Sequence, residues 1–181
     1  MPDWIERMKT RTGLTYIALA ALSVVAVAKT ADTIPSQMVG EWRWGNINPT
    51  TFYDKSNGAY LGHGGGMSCY FIFRKDGSYK KYFYVEQSPT AGWTTKVFSE
   101  SEGKLIVSNG VFTLKAAKGR FISQDNRVSK YNFDRSMTED ELKKEAASPY
   151  GWKMSQDSKG RTVMMIAPGA KGEGSQFQQV K

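Results

Sequence analysis

The chain has 181 residues, which is room for one domain and too little for two large ones. Its 40 % hydrophobic and 13 % aromatic content is too apolar for disorder, and the aromatic share favours strands. The formal net charge is +8, carried in ones and twos such as Arg74-Lys75, Lys80-Lys81 and Lys143-Lys144. Such spacing describes a solvated surface and no nucleic-acid stripe; the sharper reading is attraction to an anionic partner such as a lipid headgroup, a polyanion or an acidic protein.

Arg7, Lys9 and Arg11 precede an apolar run from Leu14 to Ala28 that ends in Ala26-Val27-Ala28. A basic region, a short apolar core and an A-x-A site in that order describe a cleavable export signal over residues 1–28, with cleavage between Ala28 and Lys29. The run is shorter than the roughly twenty residues a spanning helix needs. The alternative is an uncleaved anchor, the one way this chain would meet a membrane. Cleavage removes three basic and two acidic residues and leaves a net charge of +7. The sequence has one cysteine, Cys69, so no internal disulfide forms, which suits a bacterial envelope, periplasmic or secreted. Nucleic acid is not an expected partner of an exported chain.

Residues 29–37 read as a flexible lead. Met38–Gly45 reads as a first strand, with Trp42 and Trp44 on one face and Val39, Glu41 and Arg43 on the other. Asn46 to Gly66 is a long glycine-rich loop, of the length that is usually functional or mobile. Met67–Arg74 and Ser78–Gln87 form a hairpin across Asp76-Gly77, a pair suited to the positive φ of a type I′ turn. Cys69 shares its parity with Phe71 and Phe73, so it reads as a small buried hydrophobe. Trp93–Ser99 is a further strand. Lys104–Val107 and Val111–Lys115 pair around Asn109-Gly110, and Arg120–Ser123 is a short strand. Ser136 and Glu139 form a capping box, opening a helix that ends near Ala147 before Ser148-Pro149. Gly151–Ser155 and Arg161–Ala167 make the last hairpin, and residues 169–181 read as a flexible tail. The expected fold is all-β: an antiparallel up-and-down barrel over residues 38–168, with one short α-helix before the last hairpin.

The triplet Gly40-Glu41-Trp42 resembles the G-x-W signature of lipocalin-like barrels. So does the order of elements: a first strand with tryptophan, a long loop, then successive antiparallel hairpins. The resemblance implies that Gly40, Trp42 and Trp44 belong to the barrel base, with Arg161 or Lys153 as the basic partner that often covers the tryptophan. It departs from the family in the place of the helix and in lacking recognisable later motifs.

Catalytic sets are thin, and no enzyme activity, metal or cofactor is expected. His63 is the single histidine and sits in the glycine-rich loop Gly62–Gly66, which lacks the Lys-Ser/Thr of a phosphate cradle. Asp54, Glu86, Asp125 and Asp134 are carboxylates whose spacing favours no pair. The most unusual polar stretch is Asp125–Arg135, with three cations, two acids and two aromatics. Read structurally, it is a loop pinned by its own ion pairs. Read functionally, it is a rim where Arg127, Lys130 and Arg135 hold an anionic group and Tyr131 and Phe133 stack. The leading function is an exported binding protein for a small, partly apolar or anionic ligand. The alternative is an envelope interaction or inhibitor module with a filled barrel and no small-molecule ligand. Bulky residues on both faces, as in Tyr82-Phe83-Tyr84 and Met164-Met165-Ile166, lean towards the filled barrel.

Overall fold

Alternating apolar and polar residues produce nine strands among the residues that the structure, a computed structural model, describes: 34–46, 66–88, 90–169 and 174–180. They are β1 (Gly40–Gly45), β2 (Gly66–Phe73), β3 (Ser78–Gln87), β4 (Thr95–Ser108), β5 (Val111–Asp125), β6 (Phe133–Ser136), β7 (Tyr150–Gln156), β8 (Thr162–Pro168) and β9 (Ser175–Gln179). One helix, α1 (Glu139–Ala146), lies between β6 and β7. All pairings between strands are antiparallel, and eight strands close into a ring in the order β4-β3-β2-β1-β9-β8-β7-β5, with β5 returning to β4. Closure between β5 and β7 rests on two residue pairs, Val111 with Gly151 and Phe112 with Tyr150. β6 stands outside the ring on the far half of β5. No described helix is long and apolar enough to cross a membrane. The export signal, its Ala28/Lys29 junction, Asp54, His63 and most of the long glycine-rich loop lie outside the described residues.

Two strands join segments that read separately in the sequence. β4 runs through Ser99–Lys104 and β5 through Lys115–Arg120, regions rich in charge and small residues, because every residue there except Ala117 finds a partner on the other strand. A register shift at Glu102/Gly103 bends the pair. A Cβ on Gly103 would stand 2.0 Å from the Lys115 carbonyl oxygen, so the bend needs glycine. Gly103→Ala is expected to cost about 1–3 kcal/mol, the usual range for overpacking, read as a lower urea midpoint with unchanged slope.

The turns differ in detail from expectation. Asn109 and Gly110 both have positive φ, +50° and +74°, as a type I′ turn requires. At Asp76-Gly77 only the glycine does. Arg74 N–H donates to the Ser78 carbonyl and Gly77 N–H to the Arg74 carbonyl, giving a three-residue link with glycine at the left-handed position. Asp157–Arg161 repeats this pattern around Gly160.

Three further expectations are corrected. The first strand starts at Gly40, since Ser36–Met38 forms a 3-10 turn that buries Met38. The helix N-cap is Thr138, whose side chain accepts from Glu141 N–H while Glu141 reaches back to the Thr138 amide. Ser136 cannot cap, because it ends β6 opposite Arg120. Both Ser136 and Thr138 precede an acid by three residues, and strand pairing decides between them. Finally, residues 175–179 of the expected tail form β9, which pairs with both β1 and β8 and buries Phe177. One buried phenylalanine between polar glutamines is a weak signal on its own, but the gap between β1 and β8 gives this segment two partners.

One face of the ring strands is the main core. Trp42, Phe71, Phe73, Tyr79, Phe112, Leu114 and Met164 are all 1 % exposed or less. Cys69 is buried beside them, and burial pushes its thiol up to about 12. A second buried cluster, Tyr70, Tyr82, Tyr84, Phe98 and Ile122, occupies the opposite face of β2–β5.

Candidate functional site

The inward parity of β3 places Tyr79, Lys81 and Phe83 on the same face as Cys69 and Phe71 of β2. Aromatic residues fill one end of the ring. Trp42 packs there, its indole N–H donating to the Met38 carbonyl at 2.8 Å. Arg161, a suggested partner for that tryptophan, is instead bonded to Asp157 at 2.7 Å, and Lys153 is exposed. Towards the Gly45/Gly66 end the side chains do not meet, and a cavity of about 360 Å³ remains. Its walls include Trp44, Cys69, Phe71, Phe83, Ile166 and Phe177, with Met67 and Pro168 towards the exposed edge. Trp44, expected to face inward with Trp42, does so: its ring centroid lies 6.3 Å from that of Phe177.

Among the described residues one cation, Lys81, lines this apolar cavity. Lys81 Nζ lies 2.9 Å from Glu145 Oε1 of α1 and 3.1 Å from the Tyr150 hydroxyl. Ser101 Oγ donates to the same Glu145 oxygen at 3.0 Å. The Lys81 and Glu145 side chains are only 18 % and 10 % exposed. Burial works against the lysine charge, but the Tyr150 hydroxyl and the Glu145 carboxylate outweigh it and hold the amine protonated above its ordinary range. A second hollow of about 260 Å³ on the α1 side also touches Lys81, Glu145 and Tyr150. The pair therefore stands between the apolar cavity and the helix.

Sequence reading grouped Lys80-Lys81 with the solvated charges. Lys80 fits that reading, paired at 2.9 Å with Glu102 and about a third exposed. Lys81 does not. Its signal was strand parity, since a lysine between Tyr79 and Phe83 must share their inward face.

The Asp125–Arg135 stretch is ordered by contacts of its own. Asp125 accepts from the Trp93 indole N–H, the Thr95 hydroxyl and the amides of Arg127 and Val128, and these bonds hold its carboxyl well below the usual carboxylate range. The Arg127 guanidinium donates to the Ala91 carbonyl and lies over Trp93. Arg135 makes two 2.8 Å bonds to Glu141 and lies over Phe133. Lys130 lies over Tyr131, which is half exposed. Asp134 pairs with Arg120 rather than with any of these cations. None of Arg127, Lys130, Tyr131 or Arg135 is among the described residues lining the cavity. Glu86, another of the surveyed carboxylates, accepts from the Tyr84 hydroxyl at 2.8 Å on the opposite face of the sheet. No three His, Cys, Asp or Glu side chains group as metal ligands among the described residues.

Several carboxylates have depressed folded pKa values: Glu102 about 2, through the Lys118 and Lys80 bonds, and Glu141 about 2, through Arg135 and the Thr138 amide, with Asp125 and Asp134 also lowered. A group that is more acidic folded than unfolded stabilises the fold fully above its unfolded value. That contribution fades as pH falls through the folded value. Thermal melting is expected to be flat between pH 5 and 8 and to decline from about pH 4.5 towards 2.

Among known proteins, no family model matches the chain and no curated protein matches it.

Proposed function

We propose that this chain is an exported, lipocalin-like β-barrel that binds a small, partly apolar ligand in the cavity lined by Trp44, Phe83, Ile166 and Phe177. The observation that carries the reading is an interior space with aromatic and aliphatic walls at one end of an otherwise filled ring. Met67 supports it, because a cavity-lining methionine is 39 % exposed where a ligand would enter. The reading makes binding, not catalysis, the activity. The basic region and A-x-A site of the N-terminal segment support export, and intact mass of envelope-fraction protein is expected to begin at Lys29.

The test of binding is a titration with 1-decanol, an uncharged apolar probe, followed by tryptophan fluorescence because Trp44 lines the cavity. Saturable binding is expected. Met67→Trp, placed where the cavity meets solvent, is expected to weaken it about tenfold by filling the entrance, with little change in melting. Unsaturable fluorescence changes, or saturable binding indifferent to Met67→Trp, would remove the cavity as the site and favour a surface-acting module.

A further inference from the structure

The ion pair at the cavity wall joins two elements held very differently. Lys81 is fixed in the middle of β3, paired across to Phe71 on one side and Ser101 on the other. Glu145 sits on α1, an eight-residue helix in which no residue is buried. Burial of an apolar face is what usually holds a short helix to its protein, since eight residues are too few to be stable alone. Here Leu142 and Ala146 are partly buried, and the polar attachments are Glu145 to Lys81 and Ser101, and Glu141 to Arg135.

The place of Glu145 in the helix weakens its attachment further. It lies in the last turn, where the unpaired carbonyls of the helix present partial negative charge. A carboxylate there is repelled by its own helix and tolerated because Lys81 attracts it. Another carboxylate brought to Lys81 from the cavity side would meet the same ammonium and the same Tyr150 hydroxyl without that repulsion. The apolar cavity provides a place for the chain to which such a carboxylate is attached.

Building on the cavity reading, we propose that Glu145 competes for Lys81 with the carboxylate of an anionic amphiphile whose apolar tail fills the cavity, and that binding releases α1 from Lys81. The ligand class is thereby a single acid group on an apolar body. Binding exchanges one ion pair for another, so no charge is left buried alone, and the Glu145 carboxylate moves into water with α1.

The experiment compares decanoate with 1-decanol at pH 8, where decanoate is ionised, on the mature chain. Wild type is expected to bind decanoate about tenfold more tightly than 1-decanol, the size of one charge-assisted hydrogen bond. Glu145→Gln removes the competitor and is expected to raise decanoate affinity about fivefold or more. The double variant Lys81→Met/Glu145→Leu, which leaves no lone charge, is expected to bind the two probes within about twofold of each other. Amide exchange in residues 139–147 is expected to speed up with saturating decanoate and not with 1-decanol. Equal binding of the two probes by wild type, a decanoate preference surviving in the double variant, or slower exchange in α1 would overturn the competition for Lys81 while leaving the cavity reading intact. Failure of both probes to bind would overturn both.

Discussion

Trp42→Ala is expected to lower the unfolding free energy by about 3–5 kcal/mol, the range for an emptied aromatic site in a core that cannot collapse around it. Trp42 is 1 % exposed and lies opposite Phe71 of β2, at the filled end of the ring. Its neighbours in the cluster include Met38, Phe71, Phe73 and Phe177, each already buried against others and poorly placed to close the gap. The substitution also removes the indole N–H that satisfies the Met38 carbonyl, and with it the tie between β1 and the 3-10 turn before it. Urea unfolding followed by circular dichroism checks this. A shift below about 1 kcal/mol would mean that Trp42 is not a core anchor.

Disruption of the Lys81–Glu145 ion pair, which is largely shielded from solvent, should be asymmetric. Glu145→Leu is expected to cost about 3 kcal/mol, because Lys81 is fixed in a strand and cannot carry its unpaired charge to water. Lys81→Met should cost less, about 1–2 kcal/mol, because α1 buries no residue and can take the Glu145 carboxylate out to solvent. The double variant should return to within about 1 kcal/mol of wild type, since it removes both charges from a site with apolar walls. The check is a double-mutant cycle by urea unfolding. Additive losses in the double variant would mean that the two side chains do not act as a pair. Equal losses in the two single variants would mean that α1 is fixed as firmly as β3.

Much of the strand pattern was legible. Trp42 and Trp44, and Cys69 with Phe71 and Phe73, take the inward faces that alternation assigns to them, because a strand in a closed ring has one face to the interior. Asn109-Gly110 was legible for a similar reason: its backbone needs two positive φ values, and few residue pairs supply them. The candidate site was largely missed. The polar stretch Asp125–Arg135 drew attention by composition, yet its cations are engaged with groups of the same protein. Lys81 was assigned to the surface because a doublet of lysines looks solvated until its two members are placed on opposite faces of one strand.

The amino-acid sequence by itself determined the β-rich class, the hairpin turns and the inward face of β1 and β2. Those are local matters of backbone φ and of the period of two. Only the tertiary structure decided that β4 and β5 run unbroken past charged and glycine-containing segments, because there the stabilisation comes from cross-strand bonds to a distant partner. It also decided that residues 175–179 form a strand, since Ser175–Gln179 has little pattern of its own and takes order from β1 and β8 on either side. The pairing of Lys81 with Glu145, 64 residues away, depends on where α1 comes to rest, which no local pattern specifies. A cavity is the most tertiary feature of all: it is the volume left where side chains from β1, β2, β3, β7, β8 and β9 fail to meet.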